Sequence, residues 1–159
     1  MTKKKPGIVS AEKIHLTQVF VFRCILEAEE SYLDDPQQPV AFETSFAYDN
    51  AVNENTGRLR FRLYFEIDAL DANEKYLGID TEIGIEFHFA VDNFQDFVLE
   101  DEKKGSYIDK VIGGTLLGIA YSTARGIVLE RTQNSYLGGA LLPVIDPIAA
   151  VKENVRKRE

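Results

Sequence analysis

Two long runs of alternating apolar and polar residues lie within residues 58–91, and they restrict the fold more than any other stretch of the chain. A period of two is typical of β-strands that have one dry face and one solvated face. Residues 70–74 join the runs and have the composition of a turn. The pattern therefore predicts a long antiparallel hairpin whose dry face is covered by the rest of the chain. On the wet face we expect arginines of the first strand to lie beside acids of the second. These residues are Arg60, Arg62, Glu82 and Glu86.

The net charge of the chain limits the partners it can bind. The 159 residues carry a formal net charge of -8, which argues against nucleic acid because phosphate binding needs a basic surface. The single cysteine, Cys24, excludes a disulfide framework. Residues 1–10 read as a basic tail without the apolar segment of a signal peptide, followed by one domain over residues 11–159. No apolar run approaches the ~20 residues of a membrane span, so we expect a cytoplasmic protein with no membrane insertion.

A further strand is expected from Ile14 to Glu27, and it is partly apolar on both sides. Such a strand is either central in a sheet or buried against another subunit. Val19 and Val21 are therefore candidates for an oligomer interface. Residues 28–39 contain prolines and acids and are expected to form a long crossing connection. Another strand is expected over residues 40–48.

The C-terminal third changes to a helical pattern. We expect residues 92–106 to form a loop with an apolar anchor, followed by a helix from residue 107 or 108 to about Arg131. This helix is apolar enough to require cover from the sheet and from a partner subunit. Its glycines favour close approach of another backbone, and a second helix is expected from Pro147. The helical candidates for the oligomer interface are Gly113, Gly114 and Ile119. The fold class is α+β, with a four-stranded antiparallel sheet followed by two helices packed on one face.

Few residues suggest catalysis or metal binding. His15 and His88 fall at polar positions of strands, and Cys24 lies in an apolar strand. No spacing supplies the about three convergent ligands of a metal site, and the carboxylates are too dispersed to mark an acid–base pair. We expect a protein that is not an enzyme and needs no cofactor or metal.

The helical end of the chain, over residues 118–147, resembles the protein-export chaperone family SecB. That family carries an aromatic residue and an Ala-Arg pair late in its first helix, then an aromatic loop and a Leu-x-Pro-Val/Ile entry to its second helix. One residue, Ile145, separates this entry from Asp146, which is a small departure. The strands follow the same order more generally, so the resemblance covers residues 12–151. The similar positions are Tyr121, Ala124, Arg125, Tyr136, Leu141, Leu142, Pro143 and Val144.

The resemblance implies a SecB-like homotetramer, a dimer of dimers, that holds unfolded polypeptides in apolar grooves without ATP. It places client binding between the crossing connection, the start of the fourth strand and the loop between the helices. The alternative for each of these residues is ordinary packing in the core or an interface. The implied client-binding residues are Tyr76, Tyr136, Leu137 and Leu141, with Leu142 and Ile145 beside them.

The chain departs from the family pattern where SecB contacts the translocase motor SecA. The family's acidic sheet surface is interrupted at Arg23 and Ile79, while Glu27 is retained. The family's acidic C-terminal tail is replaced by a basic end, and its crossing-connection aromatic falls near Gln37. The body of a chaperone is therefore expected without a clear SecA site. The alternative is a binding or assembly protein of this fold that serves one dedicated partner, such as an antitoxin.

Overall fold

The computed structural model describes residue 5, residues 7–103 and residues 105–158, the last four by their backbone alone. A four-stranded antiparallel sheet carries two helices on one side, which confirms the predicted fold class. A short helix follows the first strand, and a two-stranded hairpin precedes the long helix. The elements are β1 (Ile14–Ala28), α1 (Glu30–Asp34), β2 (Ala41–Asn53), β3 (Arg58–Leu70), β4 (Tyr76–Val91), β5 (Val98–Asp101), β6 (Gly105–Ile108), α2 (Lys110–Gln133) and α3 (Pro147–Arg158).

The hairpin of β3 and β4 lies at the centre of the sheet, whose strand order is β1-β4-β3-β2. Its apolar side chains face α2 and are almost all buried, so we call this the inner face of the sheet. On the opposite, outer face, Nε of Arg62 donates to Glu86 over 2.6 Å, as the charge pattern predicted. Glu82 instead accepts from Arg23 of β1 over 2.6 Å.

Strand β1 lies at an edge of the sheet, so the first of the two alternatives for this strand, a central position, does not apply. Its pairing with β4 shifts at Thr17 and again at Phe22, each of which is an extra residue without a partner in the ladder. A shift of one residue moves the following side chains to the other face. The alternation of the sequence placed Val19 and Val21 on the opposite face from Leu16, but in the structure all three lie on the inner face. Val19 is opposite Phe87, Val21 is opposite Ile85, and Leu16 is opposite Phe89.

Helix α2 covers the inner face of the central strands. The Tyr121 ring lies 5.0 Å from that of Phe46 and 5.9 Å from that of Phe65, measured between ring centroids. By length and composition α2 could cross a membrane, but 44% of its most apolar window is buried within the fold. Its side chains Ile112, Leu116 and Val128 belong to the hydrophobic core, so α2 is the core helix of this domain.

Helix α3 packs against α2 where α2 is rich in glycine. A Cβ atom on Gly114 would lie 2.7 Å from Cγ1 of Ile148 and 3.3 Å from its Cα, and Gly113 faces Val151. The predicted close approach of a backbone is thus present, but it is made by α3 of the same chain rather than by a partner subunit. Ile119 is half-buried against the core.

Two connections are more ordered than the sequence indicated. The expected loop over residues 92–106 contains a 3-10 helix, Phe94–Phe97, and the β5–β6 hairpin. The crossing connection contains α1. Of the predicted basic tail, residues 1–4 and 6 lie outside the described residues, whereas Gly7 donates its amide hydrogen to the carbonyl of Asp96 over 3.1 Å.

Candidate functional site

Three segments that are distant in sequence meet at one end of the sheet. The amide of Glu29, at the start of the crossing connection, donates to the carbonyl of Gly78 in β4 over 2.7 Å. The rings of Tyr32 and Tyr136 meet edge to face, with centroids 5.3 Å apart. A Cβ atom on Gly138 would lie 3.1 Å from Nε2 of Gln38. The crossing connection therefore lies between the start of β4 and the segment that joins α2 to α3.

Exposed apolar side chains gather on these three segments, and we call this set the apolar surface. The most exposed are Val144 at 80%, Val40 at 68% and Leu141 at 59%. Single exposed apolar residues are common, whereas a concentration of them on neighbouring segments marks an interaction site. The apolar surface consists of Leu33, Val40, Tyr76, Tyr136, Leu141 and Val144.

The strand ladder links two of these side chains. The amide of Val40 donates to the carbonyl of Leu70 over 3.0 Å, and Leu70 is paired with Tyr76 across the hairpin. Val40 and Tyr76 therefore lie on either side of Leu70 of β3. Since their positions are fixed by backbone hydrogen bonds of the sheet, this part of the apolar surface is rigid.

The segment between α2 and α3 is anchored by hydrogen bonds to its carbonyl groups. The hydroxyl of Tyr121 donates to the carbonyl of Pro143 over 2.7 Å, and Nε of Arg125 donates to that of Leu142 over 2.9 Å. At the other end, the amide of Ala140 donates to the hydroxyl of Thr132 over 2.8 Å. The segment therefore keeps a fixed course although it belongs to neither helix.

The predicted client-binding residues divide into exposed and buried groups. Tyr76, Tyr136 and Leu141 are between 44% and 59% exposed, as contact residues must be. Leu137 and Leu142 are only 2% and 1% exposed, and both pack in the hydrophobic core of the single chain. The buried leucines anchor the segment from which Tyr136 and Leu141 project.

Ile145 lies between these groups. It is half-buried and lines a small cavity of about 100 Å³ together with Val144, Tyr121 and Gly118. This cavity extends the apolar surface toward the junction of α2 with α3. The cavity therefore gives the apolar surface a recess beside its most exposed residue.

Two tyrosines, Tyr76 and Tyr121, have a raised pKa that favours their neutral form. Burial raises the pKa of Tyr76, and a hydrogen bond to Asp80 adds to the effect. Burial also raises the pKa of Tyr121, which the nearby Arg125 partly offsets. Within the described part of the chain, no group of three or more His, Cys, Asp and Glu side chains is placed to hold a metal ion. The surface can therefore bind by burial of apolar area, with hydroxyl groups as polar contacts.

The sequence did not single out several contributors to this site. Leu33 follows no strand or helix period, Val40 only begins the strand predicted over residues 40–48, and Val144 enters only through the motif of the resemblance. Tyr32, whose hydroxyl donates to the carbonyl of Gln37 over 2.9 Å, supplies an aromatic ring to the crossing connection, where the family's aromatic falls near Gln37.

The sheet positions compared with the SecA contact surface are not equivalent in the structure. Arg23 lies on the outer face, where it pairs with Glu82. Ile79 is fully buried on the inner face opposite Ala28, so its comparison with a surface position is wrong. Of the three compared positions, Arg23 and Glu27 lie on the outer face. Glu27 is opposite Asp80 of β4.

Comparison with solved structures finds a chaperone of similar fold. A SecB-like chaperone of Mycobacterium tuberculosis, solved in complex with a ChAD peptide from the HigA1 antitoxin, aligns over 85% of this chain and 91% of its own, with 12% identity and a TM-score of 0.60. A protein of unknown function from Streptococcus agalactiae aligns over 82% of this chain and 97% of its own, with 11% identity and a TM-score of 0.38. No family model matches the chain, and no curated protein matches it by sequence. The fold is therefore SecB-like.

Proposed function

We propose that this protein is an ATP-independent holdase that binds non-native polypeptides through the apolar surface. The observation that carries the proposal is the gathering of exposed apolar side chains, Tyr136 and Leu141 among them, on three converging segments. The SecB-like fold supports this reading, because a chaperone of that fold has been solved with a bound peptide. The site offers exposed apolar side chains that can be buried against a client, which suits binding of an unfolded chain.

The physical basis of such binding is the removal of apolar area from water. Each Å² of apolar surface buried between the two chains contributes about 25 cal/mol, before the cost of ordering the client. A folded client has already buried its apolar side chains, whereas an unfolded client exposes them. Selectivity therefore follows from the unfolded state of the client rather than from its sequence.

The test is suppression of light scattering when a chemically unfolded protein is diluted from denaturant without ATP. We expect the wild-type protein to suppress scattering and the variant with Tyr136→Ala and Leu141→Ser to need several-fold more protein for the same effect. The matched control is Tyr107→Ala with Ile8→Ser, which removes an aromatic and an aliphatic side chain that are 42% and 84% exposed elsewhere. Equal activity of the two double variants would contradict the assignment of the site.

A second candidate function is binding of one dedicated partner. The solved chaperone of similar fold is bound to a peptide of an antitoxin, which favours this alternative. A dedicated partner predicts tight binding of a single polypeptide and no general affinity for unfolded chains. Titration of several unrelated unfolded proteins separates the two functions, because a holdase suppresses the scattering of all of them.

We further propose a cytoplasmic homotetramer in which β1 contributes to the contact between subunits. Leu16 and Val19 on the inner face of this edge strand are 39% and 37% exposed, and Cys24, farther along the same face, is also exposed. An apolar strip at an unpaired edge is a surface that another subunit can cover. Val21 contributes less, because it already packs against the core.

A further inference from the structure

The outer face of the sheet, opposite the helices, separates its charges by position along the strands. One end carries Asp68 and Glu66 of β3 directly opposite Asp80 and Glu82 of β4. The other end carries Arg58 and Arg60 of β3, with His88 of β4 opposite Arg60. Eight residues separate Arg60 from Asp68, which is roughly 26 Å along a strand. The arginine-rich end is thus a positively charged region of a chain whose net charge is -8.

A shallow pocket of about 480 Å³ lies at this arginine-rich end, and we call it the basic pocket. Its volume is in the range of ligand-binding clefts. Its lining comes from all four strands of the sheet, and none of the described residues that line it is acidic. The basic and polar side chains of the lining are Arg58, Arg60, His88, Thr17, Gln18 and Asn53.

Arg60 has hydrogen-bonding capacity that its surroundings leave unused. Among the described residues, no acceptor lies within hydrogen-bond distance of its Nε, although this atom is buried. The nearest carboxylate, Asp49, is 3.9 Å from one terminal nitrogen and also accepts from the hydroxyl of Tyr64 over 3.0 Å. The Arg60 side chain is 33% exposed, so a carboxylate of a ligand can reach its guanidinium, whose charge the long contact with Asp49 only weakly offsets.

The other arginines of the outer face are already paired. Nε of Arg62 donates to Glu86 over 2.6 Å, and the same carboxylate lies 2.6 Å from Nε2 of His88. Arg23 is paired with Glu82. The positive charge that remains for a ligand is therefore concentrated on Arg58 and Arg60.

We propose that the basic pocket binds a short acidic segment of another polypeptide, in an extended conformation. A shallow cleft across four strands suits an extended chain better than a small molecule, which a site usually encloses. A long polyanion is disfavoured because the acidic end of the same face lies within its reach. The pocket is on the opposite side of the sheet from α2, so this site is independent of the apolar surface.

The test uses a fluorescein-labelled peptide of consecutive glutamates flanked by glycine and serine, with binding measured by fluorescence anisotropy. We expect saturable binding that Arg60→Gln weakens by about tenfold, because a charge-assisted hydrogen bond is lost. Arg23→Gln is the matched control, since it removes the same charge from the same face outside the pocket. Equal weakening by both variants would show that the peptide responds only to net charge and would overturn the proposal.

A second pair of variants leaves every arginine in place. Ala51 is exposed, lines the pocket and pairs directly with Arg60 across the strands. Ala51→Glu should abolish peptide binding by occupying Arg60, whereas Ala51→Gln should preserve it. Opposite charges across a ladder stabilise a sheet slightly, so the glutamate variant is expected to fold.

Two further outcomes would overturn the proposal. If the wild-type protein does not bind the peptide, the pocket has no such ligand. If inorganic phosphate displaces the peptide at the same concentration of charge, the pocket is a small-anion site. The peptide contains no apolar side chain, so the variant with Tyr136→Ala and Leu141→Ser should bind it normally whether or not the holdase proposal holds.

Discussion

Glu74 closes the turn between β3 and β4 with a φ angle of 60°, in the left-handed region. Side chains other than glycine pay roughly 1 kcal/mol for this conformation. We therefore expect Glu74→Gly to raise the free energy of unfolding by about 0.5–1 kcal/mol. Urea denaturation followed by circular dichroism measures the change. Glu74→Val is the opposing control and should destabilise the protein, since a β-branched residue fits this region poorly.

Asp68 lies between two acidic neighbours, with Glu43 opposite it on β2 and Asp80 opposite it on β4. Burial raises the pKa of Asp68, and the charge of Asp80 raises it further. The folded protein thus binds this proton more tightly than the unfolded chain does. The destabilisation is fully present above the raised pKa and disappears as the pH falls below the ordinary value of 3.8.

From this sign we expect Asp68→Asn to stabilise the protein by about 0.5 kcal/mol at pH 7, because like charges directly opposite each other are relieved. The gain should shrink as the pH is lowered toward 4. Thermal denaturation at several pH values measures it, with Glu54→Gln in the exposed β2–β3 turn as control. A gain that is constant across this range would contradict the electrostatic explanation.

The sequence predicted the segment that connects the two helices, but it did not show which of the leucines in this segment are exposed and which are buried. Leu141 and Leu142 are adjacent and chemically identical, yet one is 59% exposed and the other 1% exposed. Leu142 packs in the core, and its backbone accepts a hydrogen bond from Nε of Arg125, a tertiary contact across 17 residues. No periodic pattern encodes such a contact, so exposure in this segment could be known only from the structure.

Among the elements, α2 shows two glycines with opposite expected roles. Gly114 faces the backbone of α3, whereas a Cβ atom on the exposed Gly126 would have no neighbour within 4 Å. We expect Gly126→Ala to raise the free energy of unfolding by about 0.5–1 kcal/mol through helix propensity. Gly114→Ala should lower it by about 1 kcal/mol, because an overpacking cost of about 1–3 kcal/mol exceeds that gain.

Chemical denaturation of the two variants gives the comparison. A double variant with Gly114→Ala and Ile148→Ala should recover part of the loss caused by overpacking, since the Cγ1 atom that the new methyl group meets is removed. If Gly114→Ala stabilises the protein as much as Gly126→Ala does, the close packing of α2 on α3 is not what requires glycine at position 114.

The faces of a strand could be predicted from the sequence only where its apolar and polar residues alternate regularly. The period of two in β3 and β4 is interrupted at one point near their turn, so the central hairpin was predicted with its inner and outer faces. In β1 the extra residues at Thr17 and Phe22 reverse the period twice, which made the strand look apolar on both sides. Strands β5 and β6 have four residues each, too few for a period to stand out.

At the scale of the whole molecule, the sequence was sufficient for the fold class because the dry face of the central hairpin and the apolar helix α2 need to cover each other. It was not sufficient for the assembly, because an exposed apolar strip does not identify what covers it. The glycines of α2 illustrate the difficulty. They indicated close packing of a backbone correctly, but that backbone belongs to α3 of the same chain.

The proposed assembly predicts that Leu16→Glu with Val19→Glu produces smaller species in sedimentation velocity. Both side chains are more than a third exposed in the single chain, so the charges should disrupt the contact between subunits without unfolding the protein. Phe20→Glu is the matched control, because Phe20 lies on the outer face of the same strand and is 49% exposed. An unchanged sedimentation coefficient for the double variant would exclude β1 from the interface.

The two bulges of β1 also bear on how this protein avoids fibre growth. An edge strand of 15 residues with an apolar inner side would be a template to which further copies could add without limit. Thr17 and Phe22 break the ladder and increase the twist at two points, which leaves no long straight row of hydrogen-bonding groups. Deletion of both residues would restore an unbroken edge and would convert a surface for finite contacts into one for open-ended ones.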